Sequence, residues 1–177
     1  MIAGLTKVFR DKGYEGASLN DLADVTGLKK ASLYHRFPNG KQEMAESVLS
    51  TVDQWVDDNI FLPLMDENQS AKLRLTEALK NIGILYNGGE SMCVLRAFSM
   101  HSGLSLFEQQ IKSGMEKWIS AFNALGISLR LTPTQSQQDA IQTLIELQGS
   151  LIVTRGLADT NIFESTLKNI EKRYSLE

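Results

Sequence analysis

The run SLNDLADVTGLKKASLYHRF, residues 18–37, constrains this chain more than any other stretch. Ser18 followed three residues later by Asp21 predicts a capped helix start, each side chain answering the other's backbone. Leu19, Leu22, Ala23 and Val25 predict the apolar face of that helix. Gly27 predicts its end, because glycine enters the left-handed C-cap conformation without steric cost. Leu28 is placed to plug the gap before a second helix, from about Lys30 to Arg36, that turns Leu33 and Phe37 inward. Lys29, Lys30, Ser32, Tyr34, His35 and Arg36 then face outward. Two short helices joined by a tight turn form a helix-turn-helix, a motif that sets its second helix into the DNA major groove.

The outward residues suit that placement. Lysine at a helix N-terminus, as at Lys29 and Lys30, is disfavoured by the positive end of the dipole, and a nearby phosphate reverses the penalty. Ala31 and Ser32 are small enough to approach base edges, and alanine can meet a thymine methyl. Tyr34 and His35 can donate to phosphates and reach toward bases. The competing reading packs Tyr34 on the core and leaves Lys41 merely solvated.

Charge is distributed to match. The whole chain has a formal net charge of −3. Residues 1–49 hold seven Lys/Arg against six Asp/Glu, a net of +1, so the remainder carries −4. A small basic tip on an acidic body fits a DNA reader with a separate sensing domain; a solvated charged face is the plainer alternative.

Periodicity predicts helices throughout an all-α chain. The first runs from Ile2 to Lys12 with Ile2, Leu5, Val8 and Phe9 buried, and Gly13 breaks it. A fourth, amphipathic helix follows the Asn39–Gly40 turn and ends near Pro63. A fifth spans Ser70 to about Tyr86, a sixth Met92–Met100, and a seventh about Ser105–Leu125. Pro133 opens an eighth helix reaching about Ala158, and Ile162–Tyr174 form the last, about nine helices in all. The eighth carries Ala140, Ile141, Leu144, Ile145, Leu147, Leu151, Ile152 and Val153, an apolar surface wider than one stripe, with Gly149 and Gly156 permitting close helix approach. That surface fits either a dimer face or a central helix buried in a monomer. The expected domains are a three-helix DNA-binding head, 1–43, and a helical effector-binding and dimerisation domain, 44–177.

Trp55, Tyr86, Met92, Arg96, Phe98, Met100, Met115, Trp118 and Phe122 are the candidate ligand-binding residues, lining a cavity among helices four to eight. Aromatic and methionine-rich walls suit large apolar ligands, with Arg96 and His101 as polar anchors. The plain alternative is that these apolar side chains are core.

Catalytic and metal-binding patterns are missing. His35, His101 and Cys93 form no ligand spacing or nucleophile–base arrangement, so no enzyme, cofactor or metal is expected. No run approaches a membrane span and no signal peptide is visible, so a bacterial cytoplasmic protein without membrane association is expected. One cysteine excludes an internal disulfide.

The run FRDKGYEGASLNDLADVTGLKKASLYHRFPNGKQEMAESVL resembles the DNA-binding domain of TetR/AcrR-type transcriptional regulators. The matching elements stand in order: FxxKGY, SLxDLA, GLxKxSLYxxF and FPxGKxEM. The resemblance covers roughly Leu5 to Leu49. It implies phosphate contacts from Ser18, Tyr34 and Lys41, a homodimer formed through the last two helices, and a pseudo-palindromic double-stranded DNA operator. It also implies a repressor released by a hydrophobic or aromatic small molecule. MCVLRAFSM and the glycine of FPNGK resemble the LmrA/YxaF-like branch, which implies aromatic inducers and control of drug or dioxygenase-type genes. Two departures stand out. Lys29 replaces the usual cap serine, and the extra helical turn and basic arm expected before residue 1 are absent, so the N-terminus reads as truncated. A helical ligand-binding or interaction protein that has lost DNA binding is the alternative.

Overall fold

The computed structural model describes residues 1–175, and every regular element among them is helical. Residues 176 and 177 of the expected second domain lie outside the described residues. In order the elements are α1 (Ile2–Gly16), α2 (Leu19–Thr26), α3 (Lys30–Arg36), α4 (Lys41–Val56), a π-helical turn (Asp57–Phe61), α5 (Leu62–Met65), α6 (Ala71–Leu85) and a 3-10 turn (Asn87–Gly89). Then come α7 (Val94–Phe98), α8 (Ser102–Leu106), α9 (Glu108–Ser128), α10 (Pro133–Leu157) and α11 (Asn161–Tyr174). The chain divides into two compact units, 1–54 with 93–112, and 55–92 with 113–177.

The first unit is built around Leu5, Phe9, Leu22, Leu33, Phe37 and Met44, all buried. Gly13 breaks α1 as its residue type demands, at φ 70° and ψ 179°, before one more turn reaches Gly16. The turn brings Tyr14 edge-on to Phe107, with ring centroids 5.2 Å apart, while Phe98 lies 5.3 Å from Phe9 and 5.1 Å from Phe107. This aromatic cluster corrects the expected boundary. Residues 93–112, read from the sequence as part of the second domain, pack with the first unit, because separating these rings would return a large apolar area to water.

Two further expectations change. Val25 is 38% exposed, whereas Leu22 and Ala23 are buried. Val25 lies about 60° round the helix from Leu22, at the edge of the buried face, with its side chain against Gly4 of α1. The single helix expected over about 105–125 is α8 and α9, interrupted at Phe107, whose fully buried ring holds the backbone at φ −120° and ψ 22°.

In the second unit Ser70 caps α6 by accepting from the Leu73 N–H. The π-helical turn frees backbone groups that side chains satisfy: Asn59 Nδ2 donates to the Trp55 carbonyl at 2.8 Å and Asn81 Nδ2 to the Asn59 carbonyl at 2.7 Å. Phe61, Trp118, Phe122 and Tyr174 form a continuous aromatic row in the core. Thr132 caps α10, with Pro133 in the first turn. The broad apolar surface of α10 resolves into two faces. Ala140, Thr143, Leu147, Leu151 and Thr154 are buried inside the unit, whereas Ile141, Ile145, Ile152 and Val153 are 40–58% exposed.

Candidate nucleic-acid interface

Local chemistry places the second helix of the motif. Asp21 N–H donates to Ser18 Oγ at 3.1 Å, and the Ser18 N–H donates back to the Asp21 carboxylate at 3.0 Å. Ser18 Oγ also donates to that carboxylate at 2.7 Å. Lys12 closes on the same group at 2.6 Å, so these bonds hold the Asp21 carboxyl down at about 2. The side-chain bond from Lys12 is the largest cause, followed by those from Ser18. Gly27 takes φ 67°, ending α2 and returning its N–H to the last turn. Leu33 and Phe37 then lock one side of α3 into the core.

The opposite side is open. Lys29, Lys30, Ala31, Ser32, Tyr34, His35 and Arg36 are all exposed. Lys29 occupies the N-cap with no side-chain hydrogen bond to the helix, leaving the first N–H groups of α3 available to an acceptor. Tyr34 is 45% exposed, and its ring stands against Gly40, whose left-handed φ of 66° makes the turn into α4. That turn is held by the Asn39 N–H donating to Glu43 at 2.8 Å.

The candidate phosphate contacts are held in different ways. Ser18 is exposed, but its hydroxyl and N–H are engaged by Asp21. Lys41 is half-buried: its ammonium donates to the Ala17 carbonyl at 3.2 Å and lies 4.6 Å from the Tyr14 ring centroid. An ammonium has three donors, so this arrangement fixes the charge in place while leaving N–H groups for a phosphate. The Lys41–Tyr14 pairing escaped sequence reasoning, since no local pattern links residues so far apart in the chain.

The candidate ligand residues separate into the two units. Arg96, Phe98 and Met100 belong to the first; Trp55, Tyr86, Met92, Met115, Trp118 and Phe122 belong to the second. Trp118 and Phe122 stack 6.2 Å apart, and Trp118 meets Phe61 edge-on at 5.2 Å. Tyr86 and Met92 are buried, Tyr86 with its ring against Phe163, whereas Trp55 and Met115 are half-buried. Among the described residues no group of three or more His, Cys, Asp or Glu side chains is placed to hold a metal. No helix among them is long and apolar enough to cross a membrane.

Residues 2–48 match the family model described as bacterial regulatory proteins, tetR family. Over 120 residues the chain is 24% identical to the HTH-type transcriptional regulator YxaF of Bacillus subtilis, covering 68% of this chain and 62% of that one. It is 30% identical over 60 residues to the HTH-type transcriptional regulator LmrA of the same organism, covering 34% of this chain and 32% of that one. The matched part thus spans less than two thirds of either relative. A TetR transcriptional regulator from Legionella pneumophila superposes with a TM-score of 0.81 at 21% identity, over 97% of this chain and 93% of that one, a likeness of fold. The capping box, the glycine C-cap and the open face of α3 all fall inside residues 2–48, the part of the chain that matches the tetR family of bacterial regulatory proteins.

Proposed function

We propose that this chain is a ligand-responsive, DNA-binding transcriptional regulator, a homodimer that acts as a repressor in the bacterial cytoplasm. The observation that carries the reading is α3: one side anchored through Leu33 and Phe37, the other presenting Lys29, Lys30, Ala31, Ser32, Tyr34 and His35 to solvent. Cations and small residues around a helix N-terminus suit phosphates and base edges of a major groove. Ser18 serves as the cap that aims the motif, and Lys41 as a prepositioned phosphate donor.

The outer face of α10 supports the dimer. Ile141, Ile145 and Ile152 recur at spacings of four and seven residues and are exposed, and a Cβ built on Gly149 or Gly156 meets nothing within 4 Å. A second copy laid along this stripe buries it and approaches closely at the glycines. The dimer then offers two α3 helices to an inverted repeat, and occupation of successive major grooves excludes other proteins from that DNA. A hydrophobic effector taken up among Trp55, Met115 and Trp118 in the second unit releases the operator. A preference of about 1–3 kcal/mol for the non-binding state lowers DNA affinity about 5–150-fold.

Selection of genomic fragments by purified protein, repeated at rising salt, tests this. One enriched inverted repeat, lost as salt rises, is expected. Replacing both Lys30 and Lys41 with alanine removes four phosphate contacts from a dimer and is expected to flatten the logarithmic salt slope by about 4. A folded dimer that enriches nothing at low salt overturns the regulator reading in favour of the alternative, a helical ligand-binding or interaction protein without DNA binding.

A further inference from the structure

A cleft of about 330 Å³ opens in the first unit between the broken end of α1 and the α7–α8 segment. It is lined by residues 10–16 and by Arg96, Ala97, Met100 and His101. Its volume lies at the small end of the range for ligand sites, ~300–1,000 Å³. Three cations, Arg10, Lys12 and Arg96, and two carboxylates, Asp11 and Glu15, line it, one positive charge in excess.

The carboxylates are already committed. Asp11 pairs with Lys7 at 3.4 Å, and Glu15 accepts from the Ser102 N–H at 3.1 Å. Hydrogen bonding from Ser102, its side chain first and its N–H second, holds the Glu15 carboxyl below its usual range, with His101 and Lys41 as lesser causes. Lys12 is turned to Asp21. Arg96 is therefore a cation, with His101 beside it, on a cleft wall that neither DNA recognition nor the α10 face employs. Beside them Met100 is 53% exposed, and Tyr14 and Ala97 supply further apolar surface. The backbone between α7 and α8 is also unusual. His101 stands at φ 51° and ψ −134°, a conformation that residues with a Cβ rarely adopt and one that concentrates at ligand sites.

We propose that this cleft binds a small organic anion, a carboxylate on a compact apolar body, with Arg96 holding the carboxylate and Met100, Ala97 and Tyr14 meeting the apolar part. Guanidinium groups suit this role because their planar fork matches a carboxylate. The site goes beyond the effector reading above: it lies in the other unit from Trp118 and Phe122, and its occupant touches α1 directly.

The test titrates benzoate into the full-length protein by calorimetry and amide-resolved NMR, with benzyl alcohol as the neutral isostere. Benzoate is expected to bind at least tenfold more tightly than benzyl alcohol, shifting amides at 10–16 and 96–101. Arg96→Gln is expected to weaken benzoate at least tenfold with benzyl alcohol unchanged. Met100→Trp, which fills the cleft from a half-exposed position, is expected to block benzoate and decides the matter if Arg96→Gln fails to fold. Equal binding of the two probes, undiminished benzoate binding by both variants, or shifts confined to residues around 118–122 would overturn the proposal. So would absence of benzoate binding at concentrations of about 10 mM, corresponding to an affinity of only ~3 kcal/mol. DNA plays no part in this experiment, so its failure is distinct from failure of the regulator reading.

Discussion

The Lys41 ammonium donates to the carbonyl oxygen of Ala17 at 3.2 Å, joining the first turn of α4 to the residue that separates α1 from α2. The Tyr14 ring beneath the same ammonium adds a cation–π contact. Replacing Lys41 with methionine keeps much of the stem and removes the charge, the donors and that contact. An expected loss of about 1–2 kcal/mol follows from one charge-assisted hydrogen bond and a partly exposed cation–π pair, measured by urea unfolding. The logarithmic salt slope of DNA binding by the dimer, which carries Lys41 twice, is expected to fall by about 2 in the same variant.

The Ser18–Asp21 box makes the head sensitive to acid. The folded Asp21 carboxyl titrates at about 2, below its ordinary 3.8. A depressed pKa contributes stability above the unfolded value and loses it as pH falls through the folded one. The melting temperature should therefore drop between about pH 4 and 2, and Asp21→Asn should drop less over that window. Ser18→Ala removes the helix cap, at an expected cost of about 1 kcal/mol in chemical unfolding.

Tyr174 responds at the other end of the scale. Burial, the largest cause, pushes its phenol up to about 12, opposed by the hydrogen bond with Thr143. A raised pKa for an acid that is neutral when protonated gives stability present below the unfolded value, near 10, and lost as pH climbs toward 12. Alkaline titration followed by tyrosine absorbance should show a late phase near pH 12 coinciding with unfolding of α11. Tyr174→Phe should remove that late phase.

Ile145 is 58% exposed on the outer stripe of α10. If that stripe joins two copies, Ile145→Lys enters a symmetric interface twice. At about 1.5–3 kcal/mol for each buried isoleucine, the dimer dissociation constant should rise at least about 100-fold. Light scattering should then give the monomer mass at micromolar protein, with helicity unchanged; an undiminished dimer would place the interface elsewhere.

The network between α10 and α11 couples the two last helices. Arg173 donates to Thr143 Oγ1 at 3.2 Å and pairs with Glu146, both members partly buried. Arg173→Met leaves the Glu146 carboxylate without that cation in a half-buried site. A loss of about 1–3 kcal/mol is expected, and Glu146→Gln in the same chain should recover part of it, the comparison being made by thermal unfolding.

Local chemistry by itself determined the helix-turn-helix. Ser18, Asp21, Gly27, Leu33 and Phe37 act on neighbours within one or two turns, so their spacing carried the caps, the turn and the outward side of α3 without a third dimension. The all-helical class followed in the same way from periodicity, as did the helix starts at Ser70 and Thr132–Pro133. Only the tertiary structure decided where α7 and α8 belong, because Phe9, Tyr14, Phe98 and Phe107 are apolar residues that could bury against many partners. Their meeting depends on the break at Gly13 and on rings brought together from distant parts of the chain. The same holds for Arg96 and Met100, which lie with residues 10–16 of the first unit while Trp118 and Phe122 lie in the second. Periodicity reports which side of a helix is apolar; which neighbour covers that side is set by the packing of all the helices at once, and that is why α10 reads as one broad surface in sequence and as two opposed faces in the fold.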